Sequence, residues 1–66
     1  MNDRDERQML LKRLKEIGVI LNALSEQNAE ATKAGDWGKA QQVQKETSEM
    51  TELQTSLMRQ LRQLPI

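Results

Sequence analysis

The sequence predicts an all-α protein, an antiparallel two-helix hairpin with coiled-coil-like packing that oligomerisation or a partner completes into a helical bundle. Two rows of apolar residues repeat at alternating spacings of three and four, as in helices that pack on other helices. A short break at Gly35 and Asp36 separates the rows. The chain has 66 residues and no cysteine, so a single hairpin has few means of stabilising itself.

The first predicted helix covers residues 3–34. Its apolar row consists of Leu10, Leu14, Ile17, Leu21 and Leu24, and it becomes more polar through Asn28 to Ala31. No proline interrupts this stretch. Gly18 is its one weak position, because glycine in a helix costs about 1 kcal/mol relative to alanine. We expect a tolerated glycine there, with close helix approach or a slight bend as the alternative.

The predicted turn covers residues 35–36, and the second predicted helix covers residues 37–64. Gly35 suits the left-handed backbone that ends many helices, and Asp36 suits the N-cap of the next helix. The apolar row of the second helix consists of Ala40, Val43, Thr47, Met50, Gln54, Leu57, Leu61 and Leu64. Pro65 disfavours helical backbone at the residue before it, so the helix is expected to stop there.

Such a short turn makes the two helices antiparallel neighbours, so that residues whose numbers sum to about 71 face each other. The predicted seam between the helices consists of Leu10, Leu14, Ile17, Leu21, Leu24, Val43, Met50, Leu57 and Leu61. Its large side chains lie mostly at the open end, away from the turn. Asn28, Thr47 and Gln54 are polar seam residues, which either fix the register of the helices or mark partly exposed layers.

Five apolar residues fall outside the seam and are predicted to bind a partner. They are Leu11, Ile20, Leu53, Met58 and Trp37. They widen the apolar face beyond a two-stranded seam, as expected of helices that contact a second neighbour. Val19 points further outward. The Trp37 indole has two expected roles, either covering the tip of the hairpin, which we favour, or anchoring a partner.

The composition argues against an enzyme and against a cofactor or metal site. The chain has no histidine and no cysteine, which removes the commonest general base and the main transition-metal ligands. Its serines have no base at a suitable spacing. The glutamate pairs Glu26/Glu30 and Glu46/Glu49 share helix faces, where solvated surface is a simpler explanation than a cation site. We therefore predict no catalytic, cofactor-binding or metal-binding residues.

Charge and hydropathy indicate the expected location and the excluded partners. The formal net charge is zero, so no global attraction to nucleic acid or anionic lipid is expected. No stretch is apolar and long enough to insert into a membrane, and the charged first residues lack the apolar run of a signal peptide. The predicted location is therefore cytoplasmic.

Nucleic-acid binding is the weaker alternative. Residues 1–18 and 53–66 meet at the open end of the hairpin. They carry seven basic residues against four acidic ones, which makes this end about +3 and the turn half about −3. The chain resembles, in architecture alone, the dimeric RNA-binding hairpin of the plasmid copy-number protein Rop. No row of aromatic side chains accompanies the basic residues for stacking on bases.

The turn Ala34–Asp36 near the middle of the chain and the Gln-rich amphipathic run Lys39–Glu46 resemble one known family. They are similar to the small needle-subunit co-chaperones of type III secretion systems, the YscE-like proteins, which are helical hairpins of about this length. Over Gly35–Trp37 alone, the chain also resembles flagellar export chaperones of the FliT type. The first resemblance implies a cytoplasmic, non-enzymatic co-chaperone that pairs with a larger helical-repeat chaperone and helps to keep a needle subunit soluble.

The predicted function is a non-enzymatic protein–protein interaction module, with the secretion co-chaperone as its most specific form. It is expected to form homo- or hetero-oligomers. The alternatives are a homodimeric four-helix regulator that binds RNA or DNA, and a small phage- or plasmid-type inhibitor of a host protein.

Overall fold

The computed structural model describes residues 3–65 as two antiparallel α-helices that pack along their length. Helix α1 is Asp3–Ala34 and helix α2 is Trp37–Gln63. No strand occurs in this part of the chain. The predicted all-α helical hairpin is therefore confirmed. Completion of the bundle by oligomerisation or a partner stays a prediction.

The turn between the helices satisfies the backbone groups at both helix ends. Gly35 has a φ of 73°, in the left-handed region that glycine adopts without a steric penalty. Its N–H donates to the Thr32 carbonyl at 3.1 Å, and the Asp36 N–H donates to the Ala31 carbonyl at 2.8 Å. These two bonds form a Schellman motif. The Asp36 carboxylate then accepts from the Lys39 N–H at 3.2 Å as the N-cap of α2.

Substituting Gly35 tests the turn. We expect Gly35→Ala to lower the free energy of unfolding by about 1–2 kcal/mol, because a Cβ disfavours positive φ. Gly38→Ala is the matched control. Gly38 has ordinary helical backbone, and a Cβ there meets only the Asp36 carboxylate, at 3.9 Å. The control should gain up to about 1 kcal/mol from helix propensity. Urea denaturation followed by circular dichroism measures both, and equal effects would contradict the assigned role of Gly35.

Helix α2 ends at Gln63, one residue before the predicted bound. Leu64 is the C-cap, with φ −74° and ψ 136°. This extended backbone is what the ring of Pro65 imposes on the residue before it. The Leu64 N–H still donates to the Leu61 carbonyl at 3.3 Å, so the helix ends with a bond that spans three residues instead of four.

The seam follows a strict heptad pattern. We name the heptad positions a to g and assign d to Leu10 and Val43, so that a and d face the other helix. From Arg7 to Ala31 on α1, and from Ala40 to Leu64 in the second half of the chain, every a and d residue is buried or half-buried. From Arg4 onward, the other residues of both helices are exposed, with half-buried Gly18 as the exception.

The core lies mainly toward the open end. Leu10, Ile17 and Leu57 form a buried cluster, against which half-buried Leu14, Leu21, Met50, Leu61 and Leu64 pack. Nearer the turn, Ala31 and Ala40 are each 3% exposed, and their small side chains let the helices approach closely. The resulting hairpin is a thin rod of 49 × 15 × 15 Å. A single layer of side chains between two helices is thus the whole core of the described chain.

Candidate interaction surface

In the described residues 3–65, the serine side chains all lie on the exposed surface of the hairpin. Ser25 and Ser48 are exposed at similar levels of the antiparallel pair, and Ser56 is exposed nearer the open end. Within residues 3–65, there is no group of three or more acidic side chains placed to hold a metal ion. The surface of the hairpin is distinguished by its pattern of apolar and charged side chains.

All five predicted partner-binding residues are exposed. The exposed fractions are 49% for Leu11, 44% for Ile20, 45% for Leu53, 42% for Met58 and 64% for Trp37. Val19 is exposed and points outward at position f. Met9, at position c, is also exposed and was missed in the sequence analysis. Met9 does not follow the three-and-four spacing of either apolar row, although a count of all large apolar residues outside the seam finds it.

The predicted partner residues divide between two opposite flanks of the hairpin instead of forming one continuous face. Leu11 and Met58 occupy position e, one residue after a buried d residue, whereas Ile20 and Leu53 occupy position g. A step of one residue turns about 100° around a helix, so e and g lie on opposite sides of the seam. In an antiparallel pair, the e positions of both helices lie on the same side. Each flank therefore carries its own apolar pair.

Trp37 does not cover the tip of the hairpin, contrary to the favoured expectation. It is the first residue of α2 and lies at position e, which directs the indole away from the seam. About two thirds of its surface is consequently open to solvent. The second expectation, that the indole anchors a partner, stays a prediction.

We call positions e and b of both helices the acid-free flank. On α1 it consists of Arg4, Leu11, Gly18, Ser25 and Thr32 at e, and of Gln8, Lys15, Asn22 and Ala29 at b. On α2 it consists of Trp37, Gln44, Thr51 and Met58 at e, and of Gln41, Ser48, Thr55 and Arg62 at b. Among these described residues there is no acidic side chain, and the three cations all lie toward the open end.

The opposite side of the hairpin, positions g and c, is the acidic flank. It contains five of the ten acidic residues of the chain, namely Glu6, Glu16, Glu30, Glu46 and Glu49, with the cations Arg13 and Lys39. Two flanks of equal length thus differ sharply in charge. This difference in charge can be found from the sequence, by assigning the heptad positions and counting the charged residues at each.

Threonine side chains make the acid-free flank less polar than its composition indicates. The Thr51 hydroxyl donates to the Thr47 carbonyl at 2.8 Å, and the Thr55 hydroxyl donates to the Thr51 carbonyl at 3.0 Å. These donors are satisfied within α2 and do not require water or a partner. Covering this part of the flank therefore leaves no hydroxyl donor of Thr51 or Thr55 unpaired.

The three polar seam residues differ in their environments. The Thr47 hydroxyl donates to the Val43 carbonyl at 2.8 Å, so its donor is satisfied. Gln54 is half-buried. Asn28 is half-buried as well, but its Oδ1 atom is buried and has no hydrogen-bond partner. Asn28 is thus the one seam side chain among the described residues with a buried polar atom that has no hydrogen-bond partner.

The basic residues at the open end do not form one face. The seven are Arg4, Arg7, Lys12, Arg13, Lys15, Arg59 and Arg62, and they occupy heptad positions a, b, e, f and g. They therefore surround the two helices, whereas a nucleic-acid groove needs a basic patch on one side. The structure adds no support to the nucleic-acid alternative.

Within residues 3–65, neither helix combines the length and apolarity that crossing a membrane requires. No protein-family model matches the chain, and no curated protein or solved structure matches it at a significant level. The class of protein that the fold and surface define is thus a helical hairpin with two chemically distinct flanks. The resemblance to type III secretion co-chaperones stays a prediction.

Proposed function

We propose that the protein is a non-enzymatic interaction module, a helical hairpin that further helices complete into a bundle. The observation that carries this proposal is the amount of surface left open. The chain exposes 5397 Å², whereas a compact monomer of its mass is expected to expose about 4,300 Å². Its radius of gyration is 15.2 Å, against about 11 Å for a compact domain of this length.

The exposed apolar side chains support the same proposal. Seven large hydrophobic residues are at least 42% exposed, and no side chain in the described part of the chain is fully buried. The buried cluster at the open end is one side chain thick, so it has no second layer to exclude water. Additional helices against the flanks would bury both apolar pairs and thicken this core.

Charges placed on the two apolar pairs test the proposal. We expect Leu53→Asp combined with Met58→Asp to weaken association of the full chain about tenfold or more, because each aspartate would have to be desolvated. Sedimentation velocity over a range of protein concentrations measures this. Val19→Asp is the control, since it adds one of these two negative charges at an outward position. Equal weakening by the control would contradict a role for the flanks.

The stability of the isolated chain tests the need for a partner. A hairpin that requires other helices should have an unfolding midpoint that rises with protein concentration, or should aggregate when alone. A well-folded monomer with a midpoint independent of concentration would overturn the proposal.

The secretion co-chaperone remains the most specific form of this proposal, and its support is the resemblance of the turn and the Gln-rich run. It predicts that co-expression with a type III needle subunit and its helical-repeat chaperone yields one soluble complex. A needle subunit that stays insoluble with or without this chain would count against that form, while the general interaction function would stand.

A further inference from the structure

We propose that a second copy of this chain covers the acid-free flank, with the two hairpins side by side and antiparallel about a two-fold axis near Gly18. This inference rests on the proposed interaction function and names the partner. Four features of the described residues support it: the charge difference between the flanks, the charge difference between the two ends, the small side chains at the centre, and the available area.

The charge difference between the flanks selects the face. A helix that packs on the acidic flank would have to desolvate or pair five glutamates. The acid-free flank has three cations, Arg4, Lys15 and Arg62, and the rest of its surface is apolar, small or amide-bearing. Burial of uncharged groups carries a much smaller desolvation penalty than burial of charges. The acid-free flank is therefore the side that another helix pair covers most readily.

The charge difference between the ends selects the orientation and the occupant. The open half, residues 1–18 and 53–66, has seven basic and four acidic residues, a net of +3. The turn half, residues 19–52, has three basic and six acidic residues, a net of −3. Two copies packed antiparallel place the positive half of each against the negative half of the other. The acidic residues of the turn half lie outside the flank itself, so this complementarity is between the net charges of the two halves. A parallel pair would bring halves of like net charge together.

The centre of the flank is suited to close approach. Gly18 lies at the middle of α1, and a Cβ built on it meets no atom within 4 Å beyond its chain neighbours and the adjacent backbone of α1. Packing within the hairpin therefore does not require glycine there, although a glycine weakens the helix. Across the seam, Thr51 presents a side chain whose hydroxyl is already bonded inside α2. A two-fold axis at this level brings the smallest surfaces of the two copies together.

The area of the flank matches a stable dimer. A flat contact along a rod of 49 × 15 Å covers about 700 Å² of each copy, close to the roughly 800 Å² per partner of a standard protein interface. The chain also exposes about 1,100 Å² more than a compact monomer of its mass. One copy on the acid-free flank would use most of this excess. Leu11, Met58 and Trp37 would supply the large apolar contacts.

The first test places an acidic residue at the centre of the flank. Gly18→Glu should raise the dimer dissociation constant about 100-fold or more, because the two-fold axis brings two glutamates together. Glutamate is a better helix former than glycine, so this variant retains the hairpin. Val19→Glu is the matched control at the next residue, which points outward. Sedimentation equilibrium should show a dimer for the unmodified chain and the control, and a monomer for Gly18→Glu.

The second test distinguishes antiparallel from parallel copies. The natural chain has no cysteine, so an introduced thiol is unique. Arg4→Cys and Thr32→Cys each place one at position e, near opposite ends of α1. Under mild oxidation, antiparallel copies should give a disulfide-linked dimer only when the two variants are mixed. Disulfides within each variant alone, with no disulfide between the two variants in the mixture, would overturn the antiparallel arrangement.

The outcomes separate this inference from the proposed function. A dimer that Gly18→Glu leaves intact would overturn the acid-free flank as the interface, while the interaction function would stand. An unmodified chain that is monomeric and poorly stable would overturn the second copy as occupant and would still support a different helical partner. A stable monomer would overturn both.

Discussion

Substituting Leu57 with alanine is expected to lower the free energy of unfolding by about 2–5 kcal/mol, enough to unfold a hairpin of this size. Leu57 is 4% exposed and belongs to the buried cluster with Leu10 and Ile17. Alanine would remove its transfer free energy and would also leave a cavity in a core one side chain thick. Only the half-buried seam residues that pack against the cluster, among them Leu14 and Leu61, lie next to that space.

Leu53→Ala is the matched control for this prediction. It makes the same chemical change on the same helix, but Leu53 is 45% exposed and lies on the acidic flank. Its loss should be within about 1 kcal/mol. Urea denaturation at one protein concentration, followed by circular dichroism at 222 nm, compares the two midpoints. Losses of similar size would mean that Leu57 is not a core residue in solution.

Substituting Asn28 with leucine is expected to raise the free energy of unfolding by about 1–3 kcal/mol. The Asn28 Oδ1 atom is buried without a hydrogen-bond partner, and a buried polar group in that condition carries a penalty of this size. Leucine at this position would remove the unpaired oxygen and extend the apolar row from Leu24 toward Ala31. Gln27→Leu, at the exposed neighbouring residue, is the control and should change stability little.

The same variant decides between the two explanations of the polar seam. If Asn28 fixes the register, Asn28→Leu should become more stable and also populate additional oligomers, which sedimentation velocity would detect. If Asn28 only marks a partly exposed layer, stability should rise with a single species. A loss of stability would contradict both explanations, and it would show that the amide makes a favourable interaction in solution.

The seam and the turn were predictable because their causes are local in the sequence. Spacings of three and four place Leu10, Ile17 and Leu57 on the inner face of any α-helix, and the structure finds them buried. Gly35 and Asp36 end one helix and begin the next through their own backbone and side chain. Pro65 likewise limits the backbone of its neighbour, and the bound of α2 was off by one residue.

The candidate surface was only partly predictable. The sequence identified Leu11 and Ile20 as apolar residues outside the seam. Placing them in one set did not show that they lie on opposite flanks of the hairpin. Trp37 was expected to cover the tip, and its exposure depends on the direction in which the first residue of α2 leaves the turn. Met9 carried no periodic signal and was missed.

By itself, the sequence determined that the chain forms two amphipathic helices joined at Gly35 and Asp36, because helix periodicity and capping act over a few residues. Only the tertiary structure decided that the Asn28 oxygen is buried without a partner, and that Trp37 stays open to solvent. The burial of the Asn28 oxygen depends on atoms that lie far apart in the sequence and meet when the helices pack, and the exposure of Trp37 depends on the direction in which α2 leaves the turn. The acid-free flank belongs to both levels, since the heptad register places its residues and antiparallel packing joins the two helices into one surface.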